Sequence, residues 1–166
     1  MTGARSGTGI GCNTATFSPC RRYRYTLCRR WGDGPYAMFV GLNPSTADET
    51  TDDPTIRRCI RFARDWGYDA LCMTNLFAFR ATDPKMMLSE PEPVGPENDE
   101  WLFALSSDAG IVIAAWGAHG GHRHRDTAVL TMLHEVHHLG LTKVGKPRHP
   151  LYLRADSTPI RLTPNA

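Results

Sequence analysis

Short, almost wholly apolar runs constrain this chain's fold more than any other feature. Residues 36–42, 71–77 and 110–116 each carry one, around Met38-Phe39-Val40, Cys72-Met73-Thr74 and Ile111-Val112-Ile113. Each reads as a buried strand, and helical patterns lie between them. Asp53-Pro54 is a helix start, with Asp as N-cap and Pro at the first helical position. Ile56, Cys59, Ile60, Ala63 and Trp66 then recur on one helical face, and Gly67 closes it. Strands alternating with helices predict an α/β domain, a three-layer α/β/α sandwich around a largely parallel central sheet. In such a sheet, ligands bind outside the carboxyl ends of the strands. Asn43, Asn75 and Trp116-Gly117 stand at predicted strand ends and are expected to converge.

The remaining segments fill in this frame. Residues 1–18 are rich in Gly, Ser and Thr without periodicity and read as a flexible tail. Residues 23–31 alternate as a strand, and the Gly32-Asp33-Gly34-Pro35 turn predicts that 36–42 returns as its hairpin partner. A short helix is expected at 84–88, a proline-rich loop at 90–96, and a helix at 98–105 with Trp101, Leu102 and Leu105 inward. Residues 122–138 predict a helix with Val129, Leu133 and Val136 on its inner face. Strand-like segments at 139–142 and 150–153, joined by a Val144-Gly145-Lys146-Pro147 turn, complete a single domain over 19–156. Residues 157–166 read as a C-terminal tail.

The whole chain of 166 residues carries a formal charge of +2, so no global field selects a nucleic-acid partner. The distribution is less even. Arg21, Arg22, Arg24, Arg29 and Arg30 cluster early, and Arg57, Arg58, Arg61 and Arg64 share one predicted helix. Arginine patches of this kind suit phosphate. The five cysteines are odd in number and contain no C-x-x-C. Cys59 and Cys72 read as small buried hydrophobes, and Cys12, Cys20 and Cys28 are too widely spaced for a usual metal cluster. No apolar stretch is long enough for a bilayer and no signal-peptide core is evident, so a cytoplasmic protein is expected.

Certain residues carry possible chemistry. Asn43 follows a strand, and its amide can orient a water. Gly41, Leu42, Pro44, Ser45 and Thr46 complete a turn whose hydroxyls and backbone N–H groups can hold an oxyanion. Asn75 ends an apolar strand, and its donor–acceptor pair matches a nucleobase edge. Phe77, Phe79 and Trp116 can stack on a base. Pro150 holds His149 extended, fixing an imidazole that can donate to a leaving group, with Arg148 beside it. Each also has a plainer reading: turn geometry, a structural amide, core aromatics. His134-Glu135-Val136-His137-His138 matches H-E-x-x-H, which on a helix would place two imidazoles one turn apart for zinc with Glu135 as base. Gly140 follows at once, and the region is His-rich throughout, so a zinc hydrolase is the weaker expectation.

Residues 23–153 resemble an uncharacterised bacterial and phage family, domain of unknown function 1643. The matching segments run in order: Tyr23-Arg24-Tyr25-Thr26-Leu27, Leu42-Asn43-Pro44-Ser45-Thr46-Ala47-Asp48, Asp52-Asp53-Pro54-Thr55-Ile56-Arg57-Arg58, Asn75-Leu76-Phe77-Ala78, Val94-Gly95-Pro96-Glu97-Asn98-Asp99, Ala115-Trp116-Gly117 and Pro147-Arg148-His149-Pro150-Leu151-Tyr152-Leu153. More distantly, Gly41-Leu42-Asn43-Pro44-Ser45, Asn75 and His149-Pro150 are similar in order and spacing to motifs of uracil-DNA glycosylases. Ser45 stands where that pattern has glycine, and Leu151-Tyr152 where it has Ser-Pro. The resemblance implies a uracil-DNA-glycosylase-like fold and a pocket for a nucleobase, nucleotide or nucleic acid. In it Asn43 positions the water, Asn75 reads the base and His149 stabilises the departing base. The Asp52-Asp53-Pro54-Thr55-Ile56-Arg57-Arg58 stretch has no counterpart in those motifs. Within the same scheme Asp48, Asp52 or Asp53, the last also the helix cap, is a candidate for the negative charge near the sugar, and Arg57, Arg58 and Arg148 are candidates for phosphate contacts. The scheme uses no metal and no cofactor. A non-catalytic module recognising a modified base is the alternative.

Overall fold

A computed structural model describes residues 13–163. In chain order its elements are strands β1 (Asn13–Phe17), β2 (Arg24–Arg30) and β3 (Tyr36–Gly41), helix α1 (Pro54–Asp65), strand β4 (Ala70–Asn75), helices α2 (Pro84–Ser89) and α3 (Asn98–Asp108), strand β5 (Ile111–Ala114), helix α4 (Arg125–Met132), and strands β6 (Val136–His138) and β7 (Ile160–Arg161). Two 3-10 segments, Ala118–His124 and Pro150–Tyr152, complete the set.

The strands form one seven-stranded sheet in the order β1-β2-β4-β3-β5-β6-β7. β3 pairs in parallel with β4 and β5, and β5 with β6. The pairs β1–β2, β2–β4 and β6–β7 are antiparallel. The sheet is therefore mixed, where the sequence predicts a largely parallel one. Parallel neighbours need a crossover element, and only the central strands have helices available to make it.

The expected hairpin between β2 and β3 is also absent, because β4 lies between them. The connection at 31–35 is too short for a crossover, so β2 and β3 do run in opposite directions. It arches over the start of β4 instead of pairing its own flanks. The Asp69 carbonyl accepts from Trp31 N (3.0 Å) and Gly32 N (3.1 Å), and Asp69 Oδ2 accepts from Gly34 N (2.7 Å). A Cβ on Gly34 would lie 2.3 Å from that carboxylate oxygen, so the glycine makes the close crossing possible.

Side chains of β3 alternate between two cores, which is why the run is apolar throughout. Met38 and Val40 join Cys72, Val112 and Ala114 of neighbouring strands with Met87, Leu102, Leu105 and Val129 of α2, α3 and α4. Ala37 and Phe39 join Leu71, Met73 and Ile113 with Ile56, Cys59, Phe62 and Ala63 of α1. α1 starts as predicted: Asp53 Oδ1 accepts from Ile56 N at 2.9 Å, Pro54 opens the first turn, and Gly67 follows at φ +84°. Trp66 at its end stacks on Phe39, with ring centroids 5.9 Å apart.

Other segments depart from expectation. The helix predicted over 122–138 is confined to α4, because Arg123 and His124 take left-handed dihedrals before it and the chain turns extended at Leu133 after it. Val136 is buried as foreseen, but on β6. His134 and His138 consequently do not lie one helical turn apart. His134 is exposed beyond the helix, whereas His138 is buried on β6 with Nδ1 accepting from Gly140 N at 3.0 Å. Among the described residues no three His, Cys, Asp or Glu side chains gather as a metal site. Residues 139–142 contribute only a bridge between Leu141 and Pro147, and 150–153 fold as a 3-10 turn.

Within the segments read as tails, Asn13–Phe17 and Ile160–Arg161 are edge strands. Residues 1–12, with Cys12, lie outside the described residues, as do 164–166. Cys28, Cys59 and Cys72 are buried and free, with the cross-strand pair Cys28–Cys72 at Sγ–Sγ 3.0 Å; Cys20 is exposed and free. Among the described residues no helix is long and apolar enough to cross a membrane.

Candidate functional site

The carboxyl ends of β3, β4 and β5 lie side by side, with Gly41 opposite Asn75 and Val40 opposite Ala114. β3 is the strand from which the chain turns both ways: through α1 to β4 on one side, and from β4 through α2 and α3 to β5 on the other. Such a switch point leaves a crevice at the strand ends. A cleft of about 490 Å3 opens there. Its lining includes Gly41, Leu42, Asn43, Pro44, Ser45, Asp53, Asn75, Trp116, Gly117 and His149, all predicted from sequence.

Asn43 is half-buried. Its Nδ2 donates to the carbonyls of Ala81 (2.9 Å) and Pro44 (3.1 Å). Two carbonyl neighbours fix which end of the amide is nitrogen. Among the described residues nothing donates to Oδ1, which is left as an acceptor. Asn75 is only 2 % exposed, yet among the described residues its Nδ2 meets no acceptor. Its side chain lies across Gly41, where a Cβ would stand 2.8 Å from Oδ1. Buried amides ordinarily find partners within the protein. The Asn75 main chain is braced from behind the sheet: Asn98 Nδ2 donates to the carbonyls of Asn75 and Leu76, both at 3.0 Å. Arg125 Nε donates to the Leu76 carbonyl at 2.9 Å, and its Nη2 pairs with Asp99.

Trp116 is 2 % exposed with its Nε1–H unpartnered among the described residues, and packs so closely on Gly120 that a Cβ there would meet the indole at 2.0 Å. Gly117, at φ +75°, ties the His149 segment to the sheet by donating to the Pro147 carbonyl at 2.8 Å. His149 Nδ1 accepts from Leu151 N at 3.2 Å, so in the neutral ring the proton resides on Nε2. Burial lowers its pKa below the usual histidine value, against the opposing pull of Asp53. Neutral imidazole is thus the form favoured near pH 7.

Several predicted residues stand elsewhere. Phe77 is fully buried behind the sheet and packs on the His122 ring. Thr46 belongs to a neighbouring shallow depression lined by Arg21, Arg22 and Arg80. Arg57 donates to the Asp52 carbonyl (3.1 Å), Arg58 to the Leu153 carbonyl and Arg148 to the Tyr152 carbonyl (3.0 Å). These guanidinium groups fasten the chain around α1 and the Pro150–Tyr152 turn and do not line the cleft.

The cleft also contains residues not singled out from sequence as part of it, among them Arg24, Thr55, Met73, His119 and Tyr152. Arg24 was visible only as one member of a basic cluster and of a segment matching the family. Its place in an alternating Tyr-Arg-Tyr-Thr-Leu pattern suggests a solvent-facing position, whereas it is 2 % exposed.

A family model described as "Protein of unknown function (DUF1643)" matches residues 24–151. The chain belongs to this family. No curated protein and no solved structure matches the chain. The DUF1643 match begins at Arg24 and ends at Leu151, both on the cleft lining, so the matched span carries the whole candidate site except Tyr152.

Proposed function

We propose that this cleft, set in a three-layer α/β/α arrangement, binds a nucleobase or nucleotide and hydrolyses its N-glycosidic bond. The observation that carries the reading is Asn75: a buried amide whose Nδ2 has no acceptor among the described residues, on the lining of a cleft shared with Asn43 and His149. Its donor and acceptor complement a base edge. The cleft's volume is in the range of small-molecule sites, of roughly 300–1,000 Å3.

In the proposed reaction a water hydrogen-bonded to Asn43 Oδ1 adds its oxygen to the anomeric carbon. The bond from that carbon to the base nitrogen breaks, and its electron pair leaves with the base. His149 Nε2–H donates to the departing anion, and the proton lost by the water ends on the released base. The Asp53 carboxylate favours the oxocarbenium-like sugar. Asp53 also caps α1, which fixes the carboxylate at the cleft wall.

A second reading, a non-catalytic module for a modified base or nucleotide, is favoured by two hydrogen bonds of one side chain. Both Nδ2 hydrogens of Asn43 are committed to loop carbonyls, which makes this residue a tether as well as a candidate water ligand. Incubation with DNA containing uracil, hypoxanthine or a hypermodified base, and with free nucleotides, separates the two. The proposal expects chromatographically detectable free base, lost in Asn43→Ala. Release that survives this substitution removes the mechanism, and binding without release favours the module.

A further inference from the structure

We propose that the cleft takes a ligand bearing a terminal phosphate, a nucleoside monophosphate in class, and that Arg24 at its floor is the residue that binds the phosphate. This deepens the nucleotide reading above and rests on it for the base, but not for the phosphate.

Arg24 and Arg29 are both arginines of β2, and both are buried, at 2 % and 5 % exposure. Their surroundings differ. Arg29 has a carboxylate: its Nε bonds Asp52 Oδ1 at 2.9 Å, and its remaining nitrogens reach main-chain carbonyls. Arg24 has none within ion-pairing distance among the described residues. Its Nη1 donates to the Ala47 carbonyl at 2.9 Å, and its buried Nε meets no acceptor among the described residues. A buried cation with an idle donor is unfavourable unless something else neutralises it. Burial accordingly brings its pKa down to about 10. The idle edge belongs to a residue of the cleft lining.

The backbone is built to place it there. Pairing with β1 advances from Thr16–Thr26 to Phe17–Arg24, so two steps of β2 face one step of β1. A bulge of this kind re-aims the side chains beyond it. The other titratable groups of the cleft are Asp53, His119, His149 and Tyr152. Asp53 is the one carboxylate among them, and its field favours the charged form of Arg24, although Oδ1 is occupied by the Ile56 N–H. The guanidinium edge left by the Nη1 contact offers parallel N–H groups, a match for two oxygens of one phosphate. Because Arg24 is almost wholly enclosed, a terminal phosphate fits it better than a phosphodiester whose chain must continue in both directions.

The test is calorimetric titration and thermal denaturation of wild type and Arg24→Gln. The probes are inorganic phosphate, ribose 5-phosphate, matched nucleosides and nucleoside 5′-monophosphates, and a single-stranded oligonucleotide without terminal phosphate. The expected result is monophosphate binding about 10- to 100-fold tighter than nucleoside, with that advantage lost in Arg24→Gln while nucleoside binding persists. Phosphate and ribose 5-phosphate should raise the melting temperature of wild type but not of the variant. If no base-bearing probe binds but this protection holds, the phosphate site stands and the nucleotide reading fails. Equal binding of nucleoside and monophosphate by wild type overturns the inference and leaves the base reading intact. Tighter binding of the oligonucleotide than of any monophosphate also overturns it. Should Arg24→Gln not fold, the wild-type comparison alone decides.

Discussion

Gly41 has no side chain because two neighbours occupy the space. A Cβ there would lie 2.8 Å from Asn75 Oδ1 and 2.8 Å from Met73 Cε. The methionine end can shift, but the amide cannot do so without leaving its place in the cleft. Gly41→Ala is therefore expected to cost about 1–3 kcal/mol of stability and to weaken base binding. Denaturant unfolding and a binding titration measure both, and an alanine variant with wild-type affinity would show that the amide position is immaterial. His149 makes a different prediction. Its folded pKa lies below the unfolded value of about 6.5 because burial disfavours the imidazolium. Between those two values the unfolded chain binds more protons, so this group's contribution to stability falls as pH drops through that window and is constant above it. If neutral His149 donates to the leaving base, base release should hold level at pH 7 and decline only below about 6.5, where a second ring proton on Nδ1 removes the acceptor of the Leu151 N–H and displaces the donating ring. The acid limb should vanish in His149→Gln; a limb above 6.5, or one retained by the variant, counts against the role. Asn43, Asn75 and His149 were legible in the sequence because each is a polar residue at the end of an apolar run or beside a proline. Arg24 was not, since nothing in a Tyr-Arg-Tyr alternation reveals a bulge.

α1 shows how one carboxylate serves an element and a site together. Asp53 accepts from Ile56 N and also lines the cleft. Asp53→Ala should destabilise the protein by about 1 kcal/mol through loss of the cap, lowering the melting temperature by roughly 2–4 °C. Asp53→Asn keeps a capping oxygen and removes the charge. It should therefore melt close to wild type while losing base release, and a large loss of stability in the asparagine variant would contradict this division. The limits of α1 were readable because its cap, opening proline and closing glycine are all local. The end of α4 was not. Leu133 and Val136 suit either a helical face or a strand, and the choice is made by pairing of Val136 with Val112 across the sheet. The same tertiary pairing takes apart the H-E-x-x-H pattern, whose spacing has meaning only on a continuous helix.

At the scale of the molecule, alternation of strand and helix was legible but strand order was not. Local turn chemistry at Gly32-Asp33-Gly34-Pro35 suits a hairpin, and only Asp69, far along the chain, reveals that β4 lies between β2 and β3. The mixed edges have a measurable counterpart. β3 is buried along its whole length, whereas both residues of β7 are exposed. Amide hydrogen exchange should be slowest in β3, β4 and β5 and fast in β7, since a two-residue edge strand opens without disturbing the core. Comparable protection in β7 and β3 would contradict this. The bracing of the Asn75–Leu76 carbonyls by Asn98 and Arg125 has a further consequence. Asn98 and Arg125 hold the cleft wall without lining the cleft themselves. Linkage is reciprocal, so whatever tightens around Asn75 must also tighten α3 and α4. Ligand occupancy should then be readable as slower exchange on a surface remote from the opening, and a substitution at Asn98 should alter affinity from there.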